Sequence, residues 1–455
     1  MRILNLIGLV LTVVGSAPLA AQGPLPPKAD VADVPTVAAP SEATSSRSKP
    51  LNAEDAEAWL DGFIPYALER GQIPGAVVVV VKDGEQIVQK GYGYADLAAG
   101  RPIDPQRTLF RPGSVSKLFT WTAVMQQVEA GKLDLDQDVN RYLDFEIPPR
   151  DGKPITLRHI MTHTAGFEES VRYLISRDPD ALMPLAEYAR IALPERVFAP
   201  GTTPAYSNYA TALAARIVER VSGMSFDDYV ADKIFAPLDM QSSTFRQPLP
   251  GRLRDQMSKG YMAIGQDPSP FEIVIPAPAG SLSASGADMG RFMIAHLQNG
   301  GPLLEPSTAA QMHNYRAPNI APLNTMALGF YEQRLGNTRA IAHGGDTEAF
   351  HSYLWLFPEY DTGLYISMNS PGKAGAAQAI RAALGHRFAE RYFPSTRDDQ
   401  PVDPQTAAEH ARMLAGSYTM SRGAFTNFLS LLQLLGPNEV VVDADGRIAL
   451  PSLDN

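Results

Sequence analysis

Three serines in the chain each have a lysine three positions later, which is a spacing that can activate a hydroxyl group. The pairs are Ser46 with Lys49, Ser114 with Lys117, and Ser370 with Lys373. A lysine beside a serine can accept its proton and make the oxygen a nucleophile. Residues three apart lie on one face only where the backbone is helical. The pattern therefore indicates acyl chemistry only at a pair that lies in a helix.

Two of these pairs stand in sequence that opposes a helix. Ser46 lies in a proline-rich stretch with no aromatic residue. Ser370 is followed by Pro371-Gly372, which disfavours a regular helical turn. We therefore set both pairs aside as catalytic candidates.

The pair at Ser114 meets the helical requirement. The serine follows Pro112-Gly113 and precedes apolar residues at helical spacing that continue to Gly131. A serine at a helix N-terminus gains positive dipole potential and its own amide as a donor for a developing oxyanion. Partial burial of Lys117 would depress its pKa. The alternative is that Ser114 only caps the helix and that the lysine stem extends along apolar surface.

Two further motifs favour catalysis over capping. Tyr206-Ser207-Asn208 follows Pro200-Gly201 and opens another helical pattern, and His343-Gly344-Gly345 precedes a late pair of strands. With these motifs the chain resembles the penicillin-recognising serine hydrolase superfamily, which includes class C β-lactamases, D,D-peptidases, D-aminopeptidases and related esterases. The resemblance covers roughly residues 53 to 392 and extends to connecting phrases such as Gly131-Lys132-Leu133-Asp134-Leu135 and Pro237-Leu238-Asp239-Met240.

The resemblance implies a role for each motif residue. Ser114 matches the acylated nucleophile and Lys117 its partner. Tyr206 matches the tyrosine that relays the proton, and Asn208 the carboxamide that holds the substrate's amide group. We expect these four side chains to meet at one cleft.

The third motif departs from the pattern of β-lactamases and penicillin-binding proteins. His343 stands where those proteins usually have the lysine of Lys-Thr-Gly, and a neutral imidazole binds a carboxylate less well than an ammonium does. The variant with Gly344 and Gly345 is similar to the peptidase and esterase branches instead. The resemblance also implies an oxyanion hole made by the amides of Ser114 and Asp346.

The arrangement of predicted elements indicates an α+β fold. A helix is expected from Asn52 to Gly71, followed by a hairpin of two strands, 76–82 and 85–92, around Asp83-Gly84. Residues 114–237 read as mostly helical, and strand signals return at 351–357 and 364–368, before a helix over 374–392. We predict an antiparallel sheet, formed from N- and C-terminal segments and flanked by helices, with an inserted helical lobe, as in β-lactamases.

The two ends of the chain have their own composition. Residues 1–21 read as a signal peptide with an apolar run at 3–14, and residues 22–50 as a disordered linker. We assign residues 51–395 to the hydrolase domain. Residues 396–455 form a small C-terminal appendage or a truncated β module, with a hairpin expected at 440–450.

Composition excludes several classes of function. The chain has 455 residues, a net charge of −10 and no cysteine, so disulfides and thiol chemistry are excluded and nucleic acid is disfavoured as a partner. His159 and His163 are four apart but lack a third ligand, so we expect structural hydrogen bonds and no metal. We expect no organic cofactor.

The sequence therefore predicts a periplasmic or secreted serine hydrolase that forms an acyl-enzyme with a small peptide, amide or ester. Peptide-like amides, including those of D-residues, are the leading substrate class. The alternatives are a carboxylesterase or weak β-lactamase of the same superfamily, acyl transfer to an acceptor other than water, and a non-catalytic binding or assembly module. No stable membrane insertion is expected once the signal peptide is removed.

Overall fold

A computed structural model of the chain describes residues 48–317, 325–394, 403–434, 438–443 and 448–450, and the side chains of 432–434 are not described. The helices are α1 Ala53–Gly71, α2 Lys117–Glu129, α3 Leu157–Met161, α4 Leu185–Ile191, α5 Asn208–Ser222, α6 Phe226–Val230, α7 Gly251–Arg254, α8 Gly286–Leu297, α9 Pro306–Asn314, α10 Ala376–Tyr392 and α11 Pro404–Leu414. The strands are β1 Gly75–Lys82, β2 Glu85–Asp96, β3 Arg101–Pro102, β4 Ile175–Ser176, β5 Ser243–Thr244, β6 Ile273–Val274, β7 Ser283–Ala284, β8 Tyr331–Leu335, β9 Thr338–Asp346, β10 His351–Phe357, β11 Thr362–Met368, β12 Gly416–Tyr418, β13 Asn438–Val442 and β14 Ile448–Ala449.

A seven-stranded sheet in the order β3-β2-β1-β11-β10-β9-β8 forms the centre of the molecule. Its pairings are antiparallel, and β1 lies against β11 with Ala76 opposite Met368 and Lys82 opposite Thr362. The sheet thus joins the N-terminal hairpin to the strands near residue 360. The predicted α+β class and the pairing of distant chain segments are confirmed.

The valine run of β1 explains why this sheet is covered on both faces. Successive side chains of a strand point to opposite faces. Val77, Val79 and Val81 belong to the cluster shared with α2, α5 and α8, whereas Val78 and Val80 belong to the cluster shared with α1 and α10. A strand buried on both faces is apolar throughout, as this one is.

The segment between the two sheet halves is less helical than predicted. α2 and α5 pack side by side at the centre of the lobe and are buried along most of their length. The stretch from 130 to 156 instead holds turns and a short 3₁₀ helix at Val139–Tyr142. Its prolines at 148, 149 and 154 cannot donate to a helical ladder, which accounts for the difference.

The C-terminal segment forms a small unit of its own regular structure. α11 precedes a three-stranded sheet in the order β12-β13-β14, in which Gly416 pairs with Val440 and Val441 with Ala449. The expected antiparallel pairing near residue 440 is therefore present. The turn predicted at Asp445-Gly446 lies outside the described residues.

Several predictions fall on residues that the structure does not describe. These are the signal peptide, most of the linker at 22–50, and Ser46 of the first serine–lysine pair. Within the ranges that are described, no helix combines the length and apolar character needed to cross a bilayer.

Candidate active site

Ser114 lies in a tight turn that leads into a buried helix. The turn is a 3₁₀ helix over Gly113–Ser116, and α2 continues from Lys117. Gly113 has φ +56, and a Cβ there would lie 2.6 Å from the amide nitrogen of Asp346. Only glycine accommodates both the left-handed conformation and this close approach. The turn therefore brings the serine against the end of β9.

The His-Gly-Gly motif precedes the late strand pair β10 and β11, as predicted, but it also lies within a strand of its own, β9, which the sequence analysis did not predict. A Cβ on Gly345 would strike the carbonyl oxygen of Pro112 and lie 2.7 Å from the amide nitrogen of Ser114. Gly345, which weakens the strand signal, thus permits the serine turn to pack on the strand. As a result, the backbone at Ser114 and that at Asp346 lie side by side, as an oxyanion hole requires.

Lys117 is fully buried and contacts three oxygens. Its Nζ lies 2.8 Å from Asn208 Oδ1, 2.8 Å from the carbonyl oxygen of Ala279 and 3.1 Å from Ser114 Oγ. Burial lowers the pKa of Lys117 well below its usual value, and the charge of Arg422 lowers it further. A neutral amine has two N–H groups, which suit the two carbonyl oxygens, and one lone pair, which can accept the proton of the Ser114 hydroxyl.

Tyr206 stands beside this pair with its ring packed between charged and aromatic groups. Lys117 Nζ lies 4.8 Å and the Arg422 guanidinium 4.5 Å from its ring centroid, and the ring of His163 lies 4.3 Å away. Burial raises the pKa of Tyr206 well above 10, and Ser114 is close enough to oppose part of that rise. The phenol therefore stays protonated and can donate a proton or hydrogen bond.

Asn208 begins α5 and connects the lysine to the other wall of the cleft. Its Oδ1 accepts from Lys117, and its Nδ2 donates to Glu169 Oε2 at 3.5 Å. Ser207 caps the helix, because its hydroxyl accepts from the amide of Ala210. The cap and the two contacts orient the carboxamide at the floor of the cleft.

His343 is a neutral imidazole with one nitrogen committed to the backbone. Its Nδ1 donates to the carbonyl oxygen of Gly344 at 2.6 Å, and burial lowers its pKa to about 3. Among the described residues, Nε2 of His343 has no hydrogen-bond partner, although the residue lines the cleft. With Nδ1 protonated, Nε2 carries a lone pair, and this atom is buried behind the surface of the cleft.

Asp346 uses its side chain for contacts outside the predicted oxyanion hole. Its Oδ1 lies 2.6 Å from His351 Nδ1 and 2.9 Å from a terminal nitrogen of Arg381. Hydrogen bonds and charge from His351 and Arg381 lower the pKa of this carboxyl against the effect of burial. His351 therefore supports β9 through Asp346.

The two remaining histidine candidates serve local structure. His159 caps its own helix by accepting from the amide of Thr156, and His163 Nδ1 accepts from the amide of Ser207 at 3.4 Å. The structural hydrogen bonds predicted for both are present. Within the described part of the chain, no group of three or more His, Asp or Glu side chains could hold a metal ion.

The site residues line one cleft of about 570 Å³, whose walls also include residues that the sequence analysis missed. Ser114, Tyr206, Asn208, His343, Gly344, Gly345 and Asp346 line it, and Lys117 lies beneath. The missed residues are Tyr331, Arg381 and Arg422, with Glu169 behind Asn208. They come from segments far apart in the chain and form no motif, so only tertiary structure reveals them.

This arrangement contains the parts needed for acyl transfer. It has a hydroxyl beside an amine whose pKa burial lowers, a phenol that stays protonated, and two neighbouring backbone segments where an oxyanion can bind. The volume falls in the range typical of small-molecule sites.

Residues 60–387, well over half of the chain, match the sequence model of the Beta-lactamase family. The chain is 25% identical over 327 residues to "Protein flp" of Staphylococcus aureus strain MW2, a match that covers 69% of this chain and 63% of that protein. It is 27% identical over 390 residues to "Penicillin-binding protein 4" of Amycolatopsis lactamdurans, covering 80% and 98%. The chain therefore spans less than two thirds of the flp proteins.

Solved structures share the fold at low sequence identity. A penicillin-binding protein homologue from Pyrococcus abyssi, described as octameric, superposes with a TM-score of 0.61 at 22% identity, covering 85% of this chain and 86% of that one. A β-lactamase/D-alanine carboxypeptidase from Pseudomonas syringae also gives 0.61, at 21% identity, covering 73% and 99%. These likenesses support the sheet and the inserted lobe described above.

Proposed function

The chain belongs to the Beta-lactamase family, and from that membership we propose that it is a serine hydrolase which works through an acyl-enzyme at Ser114. The predicted resemblance to penicillin-recognising serine hydrolases is confirmed at the level of the superfamily. The observation that carries the proposal is the contact between Lys117 Nζ and Ser114 Oγ at 3.1 Å, with the amine held by Asn208 and Ala279.

The first half of the reaction follows from the protonation states in the cleft. Neutral Lys117 accepts the hydroxyl proton while Ser114 Oγ attacks the substrate's carbonyl carbon. The amides of Ser114 and Asp346 stabilise the oxyanion of the tetrahedral intermediate. Tyr206 delivers a proton to the leaving nitrogen or oxygen and then receives a proton from Lys117. This half of the reaction ends with an acyl-serine at Ser114 and with Lys117 neutral again.

The second half releases the acyl group. Water attacks the acyl-serine carbonyl and gives a proton to the pair formed by Lys117 and Tyr206. The attack displaces Ser114 Oγ, which takes that proton back. The products are a carboxylic acid and the free enzyme. Each proton removed in one half is returned in the other, so these residues suffice without a further group.

We propose peptide-like amides as the substrate class. Asn208 presents a carboxamide at the cleft, where it can bind the amide group of a substrate. Because His343 is neutral, it offers no ammonium for a β-lactam carboxylate, which makes a weak β-lactamase a lesser proposal. A carboxylesterase would use the same residues.

A substrate panel tests this function. Purified wild type and Ser114→Ala would be assayed with D- and L-peptides, p-nitrophenyl esters and a chromogenic cephalosporin. We expect wild type to hydrolyse at least one peptide or ester, and the variant to lose that turnover by a factor of about 10⁴ or more. Equal rates in the two proteins would refute the proposal, and a wild type that binds the probes without turning them over would favour a binding module.

We also propose that the chain is exported to the periplasm or secreted. The support is the apolar run at 3–14, which follows Arg2 and precedes the small residues Ala20 and Ala21. N-terminal sequencing of the protein recovered from its native host tests this. Cleavage near residues 20–22 is expected, and a mature protein that begins at Met1 or Arg2 would contradict it.

A further inference from the structure

The C-terminal unit reaches into the cleft through a short loop. We call residues 421–426, between β12 and the 3₁₀ helix that starts at Phe428, the C-terminal strap. Arg422 on this strap lines the same cleft as Ser114 and His343. A residue more than 300 positions from the nucleophile in sequence is therefore a neighbour of the site.

The strap is fastened to the wall of the cleft at Glu168. The carboxylate of Glu168, itself buried, accepts from the amides of Phe425 and Thr426 at 2.6 and 2.9 Å, and from the Thr426 hydroxyl at 2.6 Å. Three hydrogen bonds to one carboxylate are strong because the acceptor is charged. They hold the strap in place on one side.

Contacts on the strap's other side complete its attachment. The carbonyl oxygen of Gly423 accepts from the amide of Glu169 at 3.0 Å, and the Ser421 hydroxyl donates to the carbonyl oxygen of Pro204. The ring of Phe425 meets that of Phe198 edge to face, with centroids 5.4 Å apart. The strap therefore bridges the chain segments just before Ser170 and Tyr206.

Arg422 is oriented but not enclosed. Its Nε and Nη2 lie 3.0 and 2.9 Å from Glu169 Oε2, and its guanidinium lies 4.5 Å from the ring centroid of Tyr206. Nearly half of the side chain, 49%, remains exposed. The contacts with Glu169 use one edge of the guanidinium fork, and its remaining N–H groups can bind a second, planar anion.

The other cationic groups of the cleft are unavailable to an anion. Lys117 is buried and its pKa is lowered, and His343 is neutral. Arg381 has 4% of its side chain exposed and is engaged by Asp346 at 2.9 Å. Among the described residues that line the cleft, Arg422 is the accessible cation.

We propose that Arg422 is a substrate-binding residue that selects substrates bearing a carboxylate close to the scissile bond. This inference rests on the proposed hydrolase function and names its substrate class more narrowly. The strap brings to the cleft the positive charge that neutral His343 does not provide. The C-terminal unit therefore sets specificity, whereas the Ser114 machinery performs the reaction.

Matched substrate pairs test the proposal. One pair is mono-p-nitrophenyl glutarate and its methyl ester, which differ by a carboxylate in the acyl part. The other is N-acetyl-D-alanyl-D-alanine and its C-terminal amide, which differ by a carboxylate in the leaving part. The readout is the ratio of kcat/KM for the charged substrate to that for its neutral partner, together with KM and kcat separately.

Three variants are compared with wild type. Arg422→Gln removes the charge, Arg422→Lys keeps the charge without the fork, and Arg412→Gln removes a charge from the exposed face of α11 as a control. We expect Arg422→Gln to lower the ratio for at least one pair by about 10- to 100-fold, mostly through KM. Arg422→Lys should lie between, and Arg412→Gln should match wild type.

The results distinguish failure of the Arg422 proposal from failure of the hydrolase proposal. If Arg422→Gln lowers charged and neutral substrates equally in both pairs, or changes neither, the substrate-binding role of Arg422 is wrong. Labelling of Ser114 by a neutral fluorophosphonate reports the hydrolase function separately. If wild type is labelled and Arg422→Gln keeps the wild-type preference for charged substrates, the specificity proposal alone is overturned. If wild type is neither labelled nor active, the proposed hydrolase function is overturned as well.

Discussion

Tyr206→Phe is the substitution that separates chemistry from structure most clearly. It removes the phenolic oxygen that faces Ser114 and keeps the ring. The ring's contacts with His163 at 4.3 Å, Arg422 at 4.5 Å and Lys117 at 4.8 Å therefore remain. We expect the fold to be retained and the proton transfer to be lost.

The two effects differ in size. Loss of a positioned acid–base group lowers turnover by about 10²- to 10⁴-fold, which corresponds to about 3–5 kcal/mol of transition-state free energy. Loss of one hydroxyl's hydrogen bonding lowers the free energy of unfolding by about 1 kcal/mol, a change of a few degrees at most in Tm. The loss of activity should therefore far exceed any loss of folded protein.

Tyr209→Phe is the matched control. Tyr209 is buried, and its hydroxyl donates to the carbonyl oxygen of Ala189 at 2.6 Å, away from the cleft. Both variants would be measured for kcat/KM with a p-nitrophenyl ester and for thermal unfolding. The control should lose stability without losing activity. A Tyr206→Phe enzyme within tenfold of wild type would refute the role given to the phenol.

Three other predictions follow from the geometry and charges of the cleft. Burial lowers the pKa of Lys117, and kcat/KM should fall as acid protonates its amine. Arg422→Gln removes a charge that lowers this pKa, so the fall should begin at higher pH in that variant. His343, with a pKa of about 3, should add no step above pH 5. Glu168→Gln should weaken the anchor of the C-terminal strap, so amide hydrogen exchange in the strap should become about 10- to 100-fold faster and the preference for charged substrates should fall. Unchanged exchange would show that the carboxylate of Glu168 is not the anchor. Gly345→Ala should push the serine turn off β9 and slow fluorophosphonate labelling by at least about 100-fold, and a normal labelling rate would contradict the close packing described for the oxyanion hole.

The parts of the site that the sequence predicted are those encoded locally. Ser114 and Lys117 lie one helical turn apart, so their meeting depends only on the backbone between them. Asn208 and Tyr206 were identified because they form a short motif at the start of a helix. The structure brings all four together at one cleft, although their catalytic roles remain proposals.

Other features depend on contacts that no local pattern carries. β9 was missed because Gly344 and Gly345 weaken its strand signal, yet Gly345 is the residue that permits the serine turn to approach. Arg422 stands in a polar loop of ordinary composition, and its place over Tyr206 follows from the anchor at Glu168. Such contacts join segments that are distant in sequence, and composition or periodicity cannot reveal them.

Mass spectrometry of the covalently labelled protein tests the central claim most directly. The protein would be treated with a fluorophosphonate, digested, and the modified residue located by fragmentation. The account predicts a single adduct on Ser114, absent from Ser114→Ala and from wild type that has been heat-denatured first. An adduct on another serine such as Ser370, or hydrolysis that persists in Ser114→Ala, would contradict it.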